Sequence, residues 1–334
     1  MNLRSYSTTL LIFFLLLLVT LCITPLIGSS EISLARAFSS TLAISNNVDA
    51  NILFQVRLPR ILLGALTGAA LSVSGAIFQS LLRNDLAAPF TLGVSSGAAL
   101  GAVIAIALNL NFPILGFSII SLFSFGGSLG AIFLVFSLVR TRQGEFPTAV
   151  LLLAGVTANF FFASLVMFIH YMADFRQSFT IIRWLMGGLN ITDYNTILTL
   201  FPLVLLGISV LIFFSRDMNL ISTGIHSASS RGVNVWKIQK LGFITASLIT
   251  GAVVAICGPI GFVGLIVPHI VRLYVGPDLR ILIPASALFG ASFLVICDTF
   301  ARTLIAPTEI PVGIITAMLG GPFFVWLLKR KRPV

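Results

Sequence analysis

The chain has 334 residues, of which 57% are hydrophobic and only 9% are charged, and its formal net charge is +10. Soluble domains carry about 25% charged residues, so this composition excludes a water-soluble fold. Many apolar runs approach the roughly 20 residues that cross a bilayer core. Backbone groups in lipid must pair within their own segment. The sequence therefore predicts an all-α, polytopic membrane protein with one domain over residues 1–334.

Ten apolar segments are predicted to be membrane helices. In chain order they are 8–27, 61–82, 92–110, 114–139, 147–169, 197–214, 241–256, 260–271, 281–297 and 310–328. The eighth has 12 residues, so we expect a short or tilted helix buried among its neighbours. Segment 181–189 predicts a half-buried helix at the surface. The first segment is longer than the apolar region of a signal peptide and no A-x-A site follows it, so we expect it to be retained.

The distribution of basic residues predicts the orientation of the helices. With both termini in the cytoplasm, 14 of the 20 Lys and Arg residues lie on the inner side and 6 on the outer side. Four acids lie inside and six outside, so the inner net charge is 14 − 4 = +10 and the outer is 6 − 6 = 0. Positive charge favours the cytoplasmic side, which predicts an inner-membrane protein with both termini inside. This bias explains the basic character without a nucleic-acid partner.

Sequence signatures of catalysis are absent. No GxxxxGK[ST] motif occurs, so the chain is not expected to bind ATP itself. His170, His226 and His269 are far apart and lack partners at metal-ligand spacing, so neither a metal nor a cofactor is expected. All ten acids lie at or near segment ends, whereas ion-coupled carriers usually place ionisable groups within the membrane. A self-powered carrier is thereby disfavoured, although sodium held by backbone carbonyls stays open.

Local motifs occur in a fixed order along most of the chain. They are the segments 57–60 (Arg-Leu-Pro-Arg), 75–79 (Gly-Ala-Ile-Phe-Gln), 83–89, 92–98, 183–189 (Arg-Trp-Leu-Met-Gly-Gly-Leu), 258–272, 298–302, 309–313 and 320–324. Together they closely resemble the FecCD-type permeases of type II ABC importers, which take up ferric siderophores, haem and cobalamin. The resemblance spans about 57–330. It implies ten helices per subunit, a homodimer with the pathway between subunits, two cytoplasmic ATP-binding subunits and a periplasmic or lipid-anchored substrate-binding protein.

The resemblance also implies two docking regions. Arg57, Arg60 and Arg302 match family arginines that receive acidic residues of the binding protein, and all three fall on the predicted outer side. Arginines at helix ends also reach the membrane interface without any partner, and Arg302 is spaced for an ion pair with Asp298.

The loop 216–240 matches the short coupling helices that fit a cleft on the ATPase. The implied coupling residues are Gly224, Ala228, Ser230, Arg231, Gly232 and Val233. Ile225 and His226 stand where the family often has an acidic pair, and Arg231 replaces an apolar residue. These departures leave the electrostatics of the docking site open, and a solvated basic loop is the alternative interpretation.

Four prolines interrupt the C-terminal apolar runs. Pro259, Pro268, Pro311 and Pro322 free backbone carbonyls and kink helices, which indicates either a pathway lining or simple helix breaks. The leading interpretation is an importer permease for a ferric chelate. Cobalamin or haem is the alternative substrate, and an ion-coupled carrier or channel is the alternative class.

Overall fold

The computed structural model describes residues 3–28, 30, 32–38, 47–110, 112–114, 117–138, 148–190 and 193–330. Its helices are α1 (Leu3–Ile23), α2 (Leu34–Ala37), α3 (Val48–Asn51), α4 (Leu58–Leu81), α5 (Val94–Ala107), α6 (Ile119–Leu138), α7 (Thr148–Met172), α8 (Phe175–Leu185), α9 (Tyr194–Phe213), α10 (Ser215–Thr223), α11 (Ile225–Ser230), α12 (Val235–Cys257), α13 (Val263–Val275), α14 (Leu279–Thr303) and α15 (Val312–Arg330). A short antiparallel hairpin, β1 (Pro113–Ile114) and β2 (Phe117–Ser118), precedes α6.

The predicted membrane helices are confirmed. Seven described helices are long and apolar enough to cross a membrane, and three shorter apolar helices, Val94–Ala107, Val263–Val275 and Val312–Leu327, complete the ten predicted segments. Six charged residues used for the orientation argument lie outside the described residues, and these are Glu31, Arg140, Arg142, Glu145, Lys331 and Arg332.

The second membrane helix begins earlier than the sequence predicted. A six-residue π-helical stretch, Ile52–Arg57, joins α3 to α4, so the apolar span runs Val48–Leu81. The last hydrogen bond of this stretch runs from the N–H of Leu58 to the carbonyl of Leu53, five residues earlier, which is the spacing of a π-helix. Pro59 follows directly and has no backbone N–H to donate to the preceding turn. Arg57 and Arg60 therefore lie within a continuous helix rather than at its start.

Helix α4 forms the centre of the bundle, packed against α9, α12, α13 and α14. Small residues allow these close approaches. A Cβ atom at Gly75 would collide with the backbone carbonyl of Gly264 on α13, and one at Gly68 would collide with that of Gly290 on α14. These two α4 glycines therefore allow tight packing of α4 against α13 and α14. Gly126 and Gly130 on α6 have open space instead.

Helix α8 confirms the predicted surface helix, although it begins six residues before the predicted start. Asp174 caps it by accepting a hydrogen bond from the backbone N–H of Gln177, and the Gln177 side chain accepts one from the N–H of Asp174. Ile181 is fully buried, whereas Phe175 and Phe179 are exposed. The Gln177 amide also donates to the carbonyl of Ala107 at the end of α5, which fixes α8 across one end of the bundle.

Candidate functional site: two polar faces of the bundle

Two sets of polar contacts lie at opposite ends of α4, which has 24 residues and spans about 36 Å at 1.5 Å per residue. We call the end that holds Arg57, Arg60 and Arg302 the arginine face. The end that holds the loop 216–240 is called the loop face. A bilayer core of about 30 Å fits between them, so each set of polar groups lies at a different membrane surface.

Arg60 is the centre of the arginine face. Its guanidinium donates from Nε and Nη2 to both carboxylate oxygens of Asp298 on α14, at 2.9–3.1 Å. Arg302, one turn beyond Asp298, places its Nε 3.1 Å from the same carboxylate, which confirms the predicted pair. Two arginines on two helices thus share one buried acid.

Glu309 supplies the only solvent-facing acid of this described cluster. Its Oε2 accepts from Nη1 of Arg60 at 2.5 Å, and the side chain is 42% exposed. The residue lies in the turn between α14 and α15, where the N–H of Ile310 donates to the carbonyl of Ala301. Glu309 therefore covers the part of Arg60 that Asp298 leaves open toward the solvent.

Arg57 has a different environment from the other two arginines. Its guanidinium donates to the carbonyl of Pro25 at 2.8 Å and to the carbonyl of Ser30. These acceptors follow α1, so Arg57 anchors the first membrane helix to the second. A Cβ at Gly28 would collide with the guanidinium. The absence of a side chain at Gly28 therefore allows the chain to pass close to Arg57.

The structure brings the three predicted docking arginines to one face but does not leave them exposed to an incoming partner. The side chains are buried, with 3%, 6% and 4% of the residue area exposed for Arg57, Arg60 and Arg302. Three positive charges and the two acids, Asp298 and Glu309, leave a surplus of +1. The reason for the burial is that Arg60 and Arg302 both contact Asp298 at the packed ends of α4 and α14, and Arg57 lies against the carbonyls of the chain that follows α1.

The loop face carries the predicted coupling segment as two short helices, α10 and α11, followed by the start of α12. Gly224 separates α10 from α11 and Gly232 follows α11 with a φ of 81°. Ala228 is fully buried, and its carbonyl accepts the N–H groups of Arg231 and Val233. Ser230, Arg231 and Gly232 are exposed. The segment is thus a small folded projection rather than an unstructured loop.

Polar contacts fix this projection to the bundle. The Asn219 amide on α10 donates to Asp278 at 2.7 Å, and its oxygen accepts the N–H of Leu279 at 2.9 Å. Asp278 caps α14, and hydrogen bonds from Arg280 hold the pKa of its carboxyl below the ordinary value. Arg83, after α4, donates to the carbonyl of Ile221. These contacts connect α10 directly to the ends of α4 and α14.

A second pair on the loop face links α13 to the segment after α4. Nη1 of Arg272 donates to Asp85 at 2.7 Å. His269, one turn earlier, is buried with its ring centroid 5.9 Å from that of Phe323 on α15. Their contacts make them part of the packing between helices.

The four predicted helix-breaking prolines take two different positions. Pro268 and Pro322 lie inside α13 and α15, whereas Pro259 lies in the break between α12 and α13 and Pro311 directly precedes α15. Gly258 and Phe262, one on each side of this break, both adopt a positive φ. A lining of the pathway by these prolines stays a prediction.

Sequence reasoning did not assign a function to Glu309 or Asp85, although both stood in quoted motifs. An acid at a segment end gives no signal of its partner, because the partners are far away in the chain, at Arg60 and Arg272. The available signal was that three arginines of the quoted motifs lie beside apolar segments, since an arginine that packs between helices requires acids or carbonyls nearby.

Comparison with known proteins places this geometry in a family. The FecCD transport family matches residues 15–330. The cobalamin import permease BtuC of Halobacterium salinarum is 44% identical, over 83% of this chain and 73% of its own length. The hemin transport permease HmuU of Yersinia pestis is 39% identical, over 99% and 98%. The Fe(3+) dicitrate permease FecD of Escherichia coli is 37% identical, over 85% and 86%.

A solved structure matches almost the entire bundle. It is described as an inward-facing conformation of a putative metal-chelate type ABC transporter. It superposes with a TM-score of 0.82 at 33% identity, covering 97% of this chain and 99% of that one. The ten-helix architecture is therefore that of an ABC transporter permease.

Proposed function

This chain belongs to the FecCD transport family of ABC importer permeases, and from that premise we propose that it carries a ferric chelate, such as an iron-siderophore, across the inner membrane. The observation that carries the proposal is the end-to-end match of the bundle to a transporter of metal-chelate type. A relative named for Fe(3+) dicitrate supports a ferric chelate. Relatives named for hemin and cobalamin keep haem and cobalamin as the alternative substrates.

The proposed orientation places the arginine face outside and the loop face in the cytoplasm. The sequence bias of 14 basic residues against 6 supports it. The described loop face also holds exposed basic residues of the coupling segment, among them Arg231 and Lys237. Both termini are then cytoplasmic.

The proposed partner at the arginine face is a substrate-binding protein with acidic docking residues. The arginines are buried, so an incoming acid reaches Arg60 only by taking the place of Glu309, the one cluster member that is 42% exposed. The surplus charge of +1 favours an acidic partner over a basic one. Docking is then an exchange of one carboxylate for another, which gives specificity more than affinity.

The proposed partner at the loop face is the ATP-binding subunit. The exposed tip, Ser230, Arg231 and Gly232, projects from a buried base at Ala228. Contacts from Asn219 to Asp278 and from Arg83 to Ile221 support a route by which a push on α10 moves α4 and α14. ATP hydrolysis is assigned to the partner, since the chain has no phosphate-binding loop.

We assign the transport pathway to the interface of a homodimer. The centre of the single chain is filled, because α4 packs against α12, α13 and α14 through contacts that leave no room for a Cβ at Gly68 or Gly75. A bulky chelate then has to pass between two copies. An ion-coupled carrier is the alternative class, and it requires neither partner.

Transport in proteoliposomes tests this function. The permease is reconstituted with a co-expressed ATPase, and uptake of a radiolabelled ferric chelate delivered by the binding protein is measured with ATP inside. We expect uptake that stops when the ATPase carries an inactive nucleotide site. Equal uptake driven by an ion gradient without the ATPase would refute the importer. Uptake of haem or cobalamin alone would select the alternative substrate.

A further inference from the structure

A small cavity lies at the arginine face, away from the arginine cluster. It has a volume of about 220 Å³ and lies between α8, the chain that follows it and the end of α12. Its polar wall is Thr180, Arg183, Trp184 and Asn190, and Ile256 contributes to its apolar floor. The lining contains no acid, so the cavity combines a positive charge with an apolar base.

Three hydrogen-bond donors on this wall are unused within the described part of the chain. The Arg183 guanidinium has no ion pair or hydrogen bond there, and neither the Trp184 indole nor the Asn190 amide has a hydrogen-bond partner. These groups can together donate several hydrogen bonds but, apart from the Asn190 oxygen, accept none. A wall rich in donors and without acids selects an anion.

The other arginines of the arginine face provide a contrast. Arg57 donates to backbone carbonyls, and Arg60 and Arg302 share Asp298. Arg176, seven residues before Arg183, lies on the same side of α8 and is also exposed, but it does not line the cavity. The position of Arg183 beside Trp184 and Asn190 is therefore what distinguishes it from another exposed arginine.

The wall of the cavity is held rigidly by backbone contacts. The N–H of Gly188 donates to the carbonyl of Cys257 at 2.8 Å, and the N–H of Gly313 donates to the carbonyl of Gly187 at 3.3 Å. Gly187 and Gly258 adopt positive φ, and a Cβ at Gly187 would collide with the carbonyl of Pro259. Because these contacts fix the backbone after α8, binding of a ligand requires little ordering of that part of the chain.

We propose that this cavity is a binding site for an oxyanion, a carboxylate or a phosphate, held by the fork of Arg183 with Trp184 and Asn190 as further donors. A guanidinium binds such groups through two parallel hydrogen bonds. Two sources carry this chemistry at a membrane surface: the carboxylate of an anionic chelate and the phosphate of a lipid headgroup. The chelate as source rests on the proposed function, whereas the anion site does not.

The binding experiment uses the full-length chain in nanodiscs of zwitterionic lipid. Citrate is the carboxylate probe, titrated by calorimetry, and phosphatidylglycerol is the lipid probe, followed by its retention in native mass spectrometry. Arg183→Gln is compared with Arg176→Gln as the matched control, and Asn190→Ala gives a second reading if Arg183→Gln does not fold. Neither readout requires an ATPase or transport, so a failure of the proposed function is seen separately.

We expect Arg183→Gln to weaken one probe by about tenfold or more, the scale of a lost charged hydrogen bond, with Arg176→Gln within about twofold of wild type. Loss of citrate binding alone identifies a carboxylate ligand, and loss of phosphatidylglycerol retention alone identifies a lipid phosphate. Unchanged binding of both probes in Arg183→Gln and Asn190→Ala, or equal losses in the Arg176 control, would overturn the site.

Discussion

Arg60 on α4 and Asp298 on α14 lie 238 positions apart in the chain and form a buried, two-pronged ion pair. The side chains are 7% and 2% exposed. The pair joins the two helices at one end, and the close approach of Gly68 to Gly290 joins them nearer the middle. The two contacts together fix the relative position of α4 and α14.

We predict that Asp298→Asn destabilises the permease strongly. Removing one partner of a buried pair costs about 3–5 kcal/mol, and here two arginines lose the same carboxylate. The measurement is the thermal unfolding midpoint in detergent. Asp49→Asn is the control, because its pair with Arg36 is long, at 4.0 Å, and Arg36 is 78% exposed. Equal midpoints for both variants would contradict the prediction.

Gly75→Ala is expected to disrupt the packing of α4 on α13. The added Cβ would collide with the carbonyl of Gly264, a backbone atom that cannot rotate away. Overpacking of this kind costs about 1–3 kcal/mol. Thermal unfolding and the yield of monodisperse protein are the readouts. Gly126→Ala serves as the matched control, because a Cβ there meets nothing within 4 Å; a comparable loss in both variants would show that the helix backbone, not the contact, is responsible.

Glu309→Gln is expected to strengthen docking of the substrate-binding protein. The change raises the net charge of the arginine cluster from +1 to +2 and weakens the carboxylate competitor at Nη1 of Arg60. Association rates measured against ionic strength should rise most at low salt. Asp193→Asn controls for a change of overall charge. Weaker or unchanged docking by Glu309→Gln would refute the exchange of carboxylates at Arg60.

The coupling segment allows a test of backbone conformation alone. Gly232 has a φ of 81° with no atom within 4 Å of an added Cβ, so a side chain is excluded by strain and not by space. Gly232→Val is expected to uncouple ATP hydrolysis from uptake, since β-branched residues disfavour this φ. Gly232→Asn should retain coupling because asparagine tolerates the left-handed region. Coupled uptake by both variants would separate Gly232 from the coupling function.

The cap at Asp278 predicts a pH-dependent stability. Hydrogen bonds from Arg280 hold the pKa of this carboxyl below 3.8, so its contribution is complete above that pH and is lost as the pH falls through the lower folded value. Asp278→Ala should cost about 0.5–2 kcal/mol at neutral pH, as for lost caps. The difference in unfolding midpoint from wild type should shrink as the pH falls below the ordinary value of 3.8, because the carboxylate is then progressively protonated in the folded protein as well.

Asp278→Asn provides the control for that experiment. It keeps a side-chain oxygen for the cap but cannot titrate, so its midpoint should lie between those of wild type and Asp278→Ala at neutral pH. A difference between wild type and Asp278→Ala that stays constant with pH would show that the carboxylate charge contributes nothing beyond the cap.

The number and order of the membrane helices were determined by the sequence alone. Each apolar segment must satisfy its own backbone in lipid, so length and composition are sufficient, and all ten predicted segments have a matching helix. The surface helix α8 also followed from a local apolar pattern, and the two short helices of the loop face followed from the resemblance to the FecCD family. The start of the second membrane helix did not, because Arg57 and Pro59 suggested a helix end where a π-helical stretch instead continues the helix.

The tertiary structure decided which charged residues are available to partners. Arg60 is buried against Asp298, an acid that α14 supplies from 238 positions away, whereas Arg183 remains without a partner among the described residues. Arg60 and Arg183 both lie near the ends of apolar segments, so their positions in the sequence do not distinguish the paired arginine from the unpaired one. Pairing depends on which helix ends meet across hundreds of residues, and only the packed bundle brings those ends together.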